Sequence, residues 1–188
     1  MVPDNRPPLF LGLNVGCSHG RITPPNCCID TSMSNTTAGL APADILDYVP
    51  QQKPFRFIDT VLSVDPTGIV GAYTFSADAL FYAGHFPGHP VTPGVILLEA
   101  MSQTGVVAFG IYLLSLELED PEGIRQWLTL FSDAHVEFLA PVYPDTRVIM
   151  TAEQVFWRHK KLKARVEMRD EQDTLLATAT VSGMGVQQ

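Results

Sequence analysis

From Gly94 to about Leu116 the chain runs almost without charge through Val, Ile, Leu, Ala, Met and Phe, and this stretch constrains the fold more than any other. It is too long for a strand and suits a helix of about six turns. A helix that is apolar around most of its circumference has to be covered on most sides. It makes a poor membrane span, because Pro93, Glu99, Gln103 and three glycines interrupt the run Val91–Leu118. The cover therefore comes from the rest of the chain, and the rest reads mainly as strands. Phe55 to Val64 alternates apolar and polar residues after Pro54, Pro66-Thr67-Gly68 reads as a turn, and Ile69 to Phe75 is a second strand. Four more strand patterns follow the helix: Trp127 to Phe138, Arg147 to Trp157, Lys161 to Arg169 and Leu175 to Met184. Short helical pieces are expected at Ala43–Val49, stopped by Pro50, and at Ser76–Tyr82. Strands, one long helix and strands again predict an α+β fold, with a curved antiparallel sheet wrapped around one central α-helix.

Residues 1–40 lack any sustained period, and Pro3, Pro7, Pro8, Pro24 and Pro25 break regular elements there. The reading is a disordered or non-native N-terminal extension (1–40) followed by a single domain (41–188). Hydrophobic residues make up 46% of the chain, enough for a real core, and a net charge of −8 argues against nucleic acid as a partner. The three cysteines, Cys17, Cys27 and Cys28, all lie in the extension, with no second Cys-x-x-Cys pair or histidine cluster beside them. No metal site is expected, and a domain that needs no disulfide fits a reducing cytoplasm.

Just before the helix stands Tyr82-Ala-Gly-His-Phe-Pro-Gly-His-Pro-Val-Thr-Pro-Gly94, a loop stiffened by Pro87, Pro90 and Pro93. It holds His85, while Glu99 lies one and a half turns into the helix, with Gln103 one turn further on the same face. A carboxyl group placed among Val95, Ile96, Leu97, Leu98 and Met101 is expected to be partly withdrawn from water. A histidine base and a carboxylic acid are the pair that a carbon–oxygen elimination uses. Gly94 opens the helix between them, where backbone N–H groups are free to bind a carbonyl oxygen.

The run His-Phe-Pro-Gly-His-Pro-Val-x-Pro-Gly-Val followed by Glu-Ala-Met-x-Gln resembles the signature of the β-hydroxyacyl-[acyl-carrier-protein] dehydratases of the FabZ type, over roughly residues 42–185. The strand around Pro54-Phe55-Arg56-Phe57-Ile58-Asp59 and the fourteen-residue step from His85 to Glu99 are similar as well. The resemblance implies the hotdog fold and the dehydration of (3R)-hydroxyacyl chains to trans-2-enoyl chains, in fatty-acid or related polyene or polyketide elongation. By that resemblance His85 removes the α-proton, and Glu99 of the partner subunit protonates the departing hydroxyl. The Gly94 N–H holds the thioester oxygen, the Val91 carbonyl orients His85, and Gln103 hydrogen-bonds Glu99. Tyr82 and Phe86 either gate an acyl tunnel or fill core. Related FabA-type enzymes, which also isomerise the double bond, carry Asp at the position of Glu99 and an acidic residue where this chain has His89, so dehydration without isomerisation is implied. No cofactor is implied beyond the phosphopantetheine of the acyl carrier protein that presents the substrate. The implied assembly is a homodimer, which the family often builds into a trimer of dimers, with no membrane partner.

Trp157-Arg-His-Lys-Lys-Leu-Lys-Ala-Arg165 holds five of the twelve Lys and Arg residues. It reads as a solvated hairpin or as a docking patch, through Arg158, Lys160, Lys161 and Lys163, for an acidic carrier protein. Arg56 is a comparable docking candidate. Two other functions compete: a hotdog acyl thioesterase, and a non-catalytic acyl-carrier-binding subunit.

Overall fold

A computed structural model describes residues 39–188, so the expectations for the N-terminal extension and its cysteines lie outside the described residues. Six strands form one antiparallel sheet: β1 (Thr60–Asp65), β2 (Gly68–Thr74), β3 (Trp127–Phe138), β4 (Arg147–Arg158), β5 (Lys161–Asp170) and β6 (Leu175–Gln187), in the order β1-β2-β4-β5-β6-β3. The sheet curls around a single helix, Gly94–Ser115, which is 72% buried and about 33 Å long. Its apolar length is that of a core helix, with every residue from Ala100 to Ser115 buried.

Period-two alternation supplies the sheet's inner face. Leu162, Ala164, Val166 and Met168 of β5, and Val148, Met150 and Ala152 of β4, are all essentially closed to solvent against the helix. Each larger side chain buried this way contributes roughly 1.5–3 kcal/mol. The closest approach is at Gly105, where an added Cβ would lie 2.6 Å from Val166 Cγ2. Only glycine lets the sheet come so near the helix axis.

Four elements differ from the sequence-based expectation, one of them the piece at Ser76–Tyr82, which turns without forming a helix until Phe81–Gly84. The helix is not α throughout: Gln103–Ala108 is a π turn between α segments Gly94–Ser102 and Phe109–Ser115. Such turns alter the angular register of the residues on either side. The first strand pairs only from Thr60, because the backbone at Phe55 and Phe57 bonds to the Gln103 side chain instead of to a strand. The early helix shrinks to a 3-10 turn at Ile45–Asp47.

Among the described residues β3 is an edge strand, paired only with β6, and most of it is exposed. Phe131 and Phe138 stand opposite Gly183 and Ala177 of β6, on the inner face of the sheet, yet are 50% and 48% exposed. Val95, on the first turn of the helix, is 74% exposed. An open edge flanked by large apolar side chains is a surface that a further strand would cover.

The far end of the helix is closed by a polar latch. Glu117 accepts hydrogen bonds from Trp157 Nε1, at 2.5 Å, and from Lys160 Nζ, which sits between the Trp127 and Trp157 rings at 5.8 and 5.9 Å. Desolvation pushes the Glu117 carboxyl up, but the Lys160 and Trp157 hydrogen bonds and the Lys160 charge outweigh it and hold the group below its ordinary value. A folded-state value below the unfolded one adds stability above about pH 4.3, which is lost as pH falls through the folded value. Glu117→Gln is therefore expected to flatten the loss of stability between neutral pH and pH 3, read as the shift in urea midpoint. An unchanged shift in the variant would remove Glu117 as its source.

Candidate active site

The loop between the short helix Phe81–Gly84 and the central helix sets His85 at the rim of a cavity of about 460 Å³. The wall opposite is the first turn of the central helix, Gly94 and Leu97, together with the segment 138–142 that leaves β3. His85 N–H donates to Phe81 O at 2.9 Å, continuing the short helix by one bond. The ring Nδ1 lies 2.9 Å from the Val91 carbonyl oxygen. A carbonyl can only accept, so Nδ1 carries the proton, and in the neutral ring Nε2 keeps its lone pair. That is the form a general base requires.

Gly94 begins the helix with no side-chain cap from Pro93. Ile96 N–H and Leu97 N–H turn back to the Pro93 carbonyl, while the Gly94 N–H has no acceptor among the described residues. The helix N-terminus thus presents a free donor and a positive partial charge to the cavity. Glycine is required by packing too: an added Cβ would come 2.8 Å from Phe138 Cε2, between the helix and the cavity wall.

Glu99 is half-buried and is held from one side only. Gln103 Nε2 donates to Glu99 Oε1 at 2.8 Å and to Phe55 O at 2.8 Å, while Gln103 Oε1 accepts from Phe57 N–H at 2.7 Å. Two acceptors on one end and an N–H on the other fix the amide's orientation. One carboxyl oxygen is committed as an acceptor, and among the described residues Oε2 has no partner. Glu99 does not line the cavity that holds His85. One chain therefore presents His85 and the Gly94 N–H in one cavity and Glu99 elsewhere.

The remaining candidates divide. Val91 and Phe86 line the cavity; Phe86 has a φ of 54° and its ring centroid lies 4.2 Å from that of His85. Tyr82 does not line it; the residue borders a separate groove behind the loop, with Leu80, Gly88 and Pro90. Arg158, Lys160, Lys161 and Lys163 surround the tight β4–β5 turn, at the Glu117 end of the central helix, about 30 Å by helical rise from Gly94. Lys160 is spent on Glu117. Arg56 is half-buried, and its Nε is enclosed with no hydrogen-bond partner among the described residues. An enclosed donor without a partner costs roughly 1–3 kcal/mol. Arg56→Leu is expected to raise the melting temperature by a few degrees, and a fall would show that the guanidinium is satisfied in solution.

Sequence reasoning missed Thr92 and the wall formed by Phe138, Leu139, Ala140, Pro141 and Val142. The Pro141-Val-Tyr-Pro144 run carries a signal for that wall, a stiffened exit from a strand.

A curved antiparallel sheet around one helix, with a histidine loop at the helix N-terminus, defines a hotdog-fold enzyme of the dehydratase type. The FabA-like domain pattern matches residues 49–181. The chain is 35% identical over 114 residues to the 3-hydroxyacyl-[acyl-carrier-protein] dehydratase FabZ of Desulfotalea psychrophila, covering 59% of this chain and 71% of that protein. It is 32% identical over 138 residues to the protein of the same name from Streptococcus pneumoniae, covering 73% and 91%. Among solved structures, the dehydratase heterocomplex ApeI:P from Xenorhabdus doucetiae matches with a TM-score of 0.63 at 14% identity, covering 79% of this chain and 93% of that one, a likeness of fold. The chain belongs to the FabA-like family, on its FabZ-type branch.

Proposed function

We propose that this protein dehydrates (3R)-hydroxyacyl thioesters, carried on the phosphopantetheine of an acyl carrier protein, to trans-2-enoyl thioesters. The setting is fatty-acid or related polyene or polyketide elongation. The observation that carries the reading is the His85 Nδ1 to Val91 carbonyl bond at 2.9 Å, which aims a basic Nε2 into a cavity floored by the Gly94 N–H. Nε2 takes the α-proton, and the Gly94 donor and helix terminus stabilise negative charge as it gathers on the thioester oxygen. The electrons then expel the β-hydroxyl, which leaves as water with the proton of Glu99. One proton is taken and one returned, so the balance closes without a metal or redox cofactor.

Because Glu99 lies outside the His85 cavity of its own chain, the acid of each site comes from the partner subunit of a homodimer. The bare β3 edge and the exposed Phe131, Phe138 and Val95 support that assembly. Trimers of dimers are a further step of the same kind. An acidic carrier protein needs positive charge near the cavity mouth, and the hairpin cations lie far from the His85 of their own chain. Nothing in the reaction requires a membrane, and the enzyme is placed in the cytoplasm.

The test is incubation with a series of (3R)-hydroxyacyl carrier-protein substrates, followed by mass. Loss of water without loss of the acyl group is expected. Release of free acid would make the protein a thioesterase, and an unchanged substrate would leave it a binding subunit.

A further inference from the structure

We propose that Tyr82 and Thr92 form a buried staple that positions His85, acting through the Val91 carbonyl. Tyr82 OH and Thr92 Oγ1 are 2.5 Å apart, and the two residues are only 7% and 3% exposed. They stand at the two ends of the loop that carries His85. Between them, Ala83, Gly84 and the run from Phe86 to Pro90 are all exposed. The backbone bonds within the loop are local: His85 N–H to Phe81 O and His89 N–H to Phe86 O. The staple is thus the bond that ties the loop's start to its end.

Thr92 also has its N–H on Val142 O at 2.7 Å, so it is anchored to the cavity wall on one side and to Tyr82 on the other. Its preceding carbonyl, that of Val91, holds the His85 ring. A shift of Thr92 carries that carbonyl with it and releases Nδ1. Burial pushes the Tyr82 phenol up from its ordinary value, so the hydroxyl stays neutral and the pairing persists across the working pH range. Tyr82 does not line the His85 cavity, and the hydroxyl of Thr92, which does, is committed to Tyr82, so the pair acts on the loop.

The inference rests on His85 being the base, so its test includes a readout that does not depend on turnover. Tyr82→Phe and Thr92→Val each orphan one hydroxyl; the double variant removes both and keeps the packing; Thr92→Ser keeps the oxygen. In each single variant kcat is expected to fall about tenfold, with KM for the carrier-linked substrate within about twofold, as for a displaced catalytic group. Thr92→Ser is expected to restore most of the rate. Nitrogen NMR of the His85 ring is expected to show Nδ1–H alone in the wild type and a mixture of tautomers in Thr92→Val and in the double variant. A wild-type tautomer and rate in both of those variants would overturn the proposal. So would a KM rise at constant kcat, which would make the pair substrate-facing. If the single variants fail to fold, the double variant and Thr92→Ser still decide it through the tautomer. A wild-type protein with a fixed Nδ1–H tautomer but no dehydration would sink the assigned reaction and leave the staple standing.

Discussion

His85→Ala is expected to lower kcat by about three orders of magnitude, and Glu99→Gln by nearly as much, with both variants folded. His85 sits on an exposed loop and its ring makes one hydrogen bond, to the Val91 carbonyl, so its removal leaves the core untouched. Glu99→Gln is nearly isosteric: the new amide oxygen still accepts from Gln103 Nε2, so the links from Gln103 to Phe55 and Phe57 persist. What the amide cannot do is release a proton to a departing hydroxyl. In the proposed reaction the two residues act on one transition state, so the double variant is expected to be little slower than the worse single variant. Single-turnover loss of water, with melting temperature as the control for folding, measures all three. A loss of less than tenfold in His85→Ala would remove that residue as the base. The residual rate in either variant reports the Gly94 donor and the helix terminus, which neither substitution disturbs.

Local pattern made some of this legible. The loop from Tyr82 to Gly94, the helix after it and the acid in its second turn follow from proline, glycine and spacing, which act over a few residues. The four later strands start where alternation begins, and β3 matches Trp127–Phe138 at both ends. What stayed hidden depends on partners distant in sequence. The segment from Phe55 to Asp59 alternates like a strand, but at Phe55 and Phe57 the neighbour is the Gln103 side chain, 48 and 46 residues away. The π turn arises in a wholly buried stretch whose composition is that of any core helix. The charge run at the β4–β5 turn reads as a free cationic patch until Lys160 is seen to meet Glu117, 43 residues earlier. In sequence Tyr82 reads as a gate or core residue and Thr92 carries no signal; only the folded loop brings their hydroxyls together.

Mixing the two inactive variants should restore activity, and this is the largest gain any experiment on the protein is expected to show. The cavity of one subunit holds His85, the Gly94 N–H and Phe138, while Glu99 faces the Gln103 clasp and does not line that cavity. A site that draws its base from one chain and its acid from the other behaves predictably in a heterodimer. One of its two sites receives both substitutions, and the other receives neither. If subunits of His85→Ala and Glu99→Gln exchange freely, half the dimers are mixed and each has one intact site. Activity is then expected to rise from near zero to about a quarter of the wild-type rate. Unfolding and refolding the two variants together, with each refolded alone as the control, separates exchange from mere mixing. Should base and acid instead serve within one chain, every subunit in the mixture would be defective and no activity would return. A strand-breaking substitution on the exposed β3 edge, such as Ala134→Pro, whose N–H faces away from β6, makes the same point from the other side. It removes a donor at the edge that an incoming strand would use, so it is expected to abolish the rescue while leaving the His85 loop, which lies on separate elements, in place.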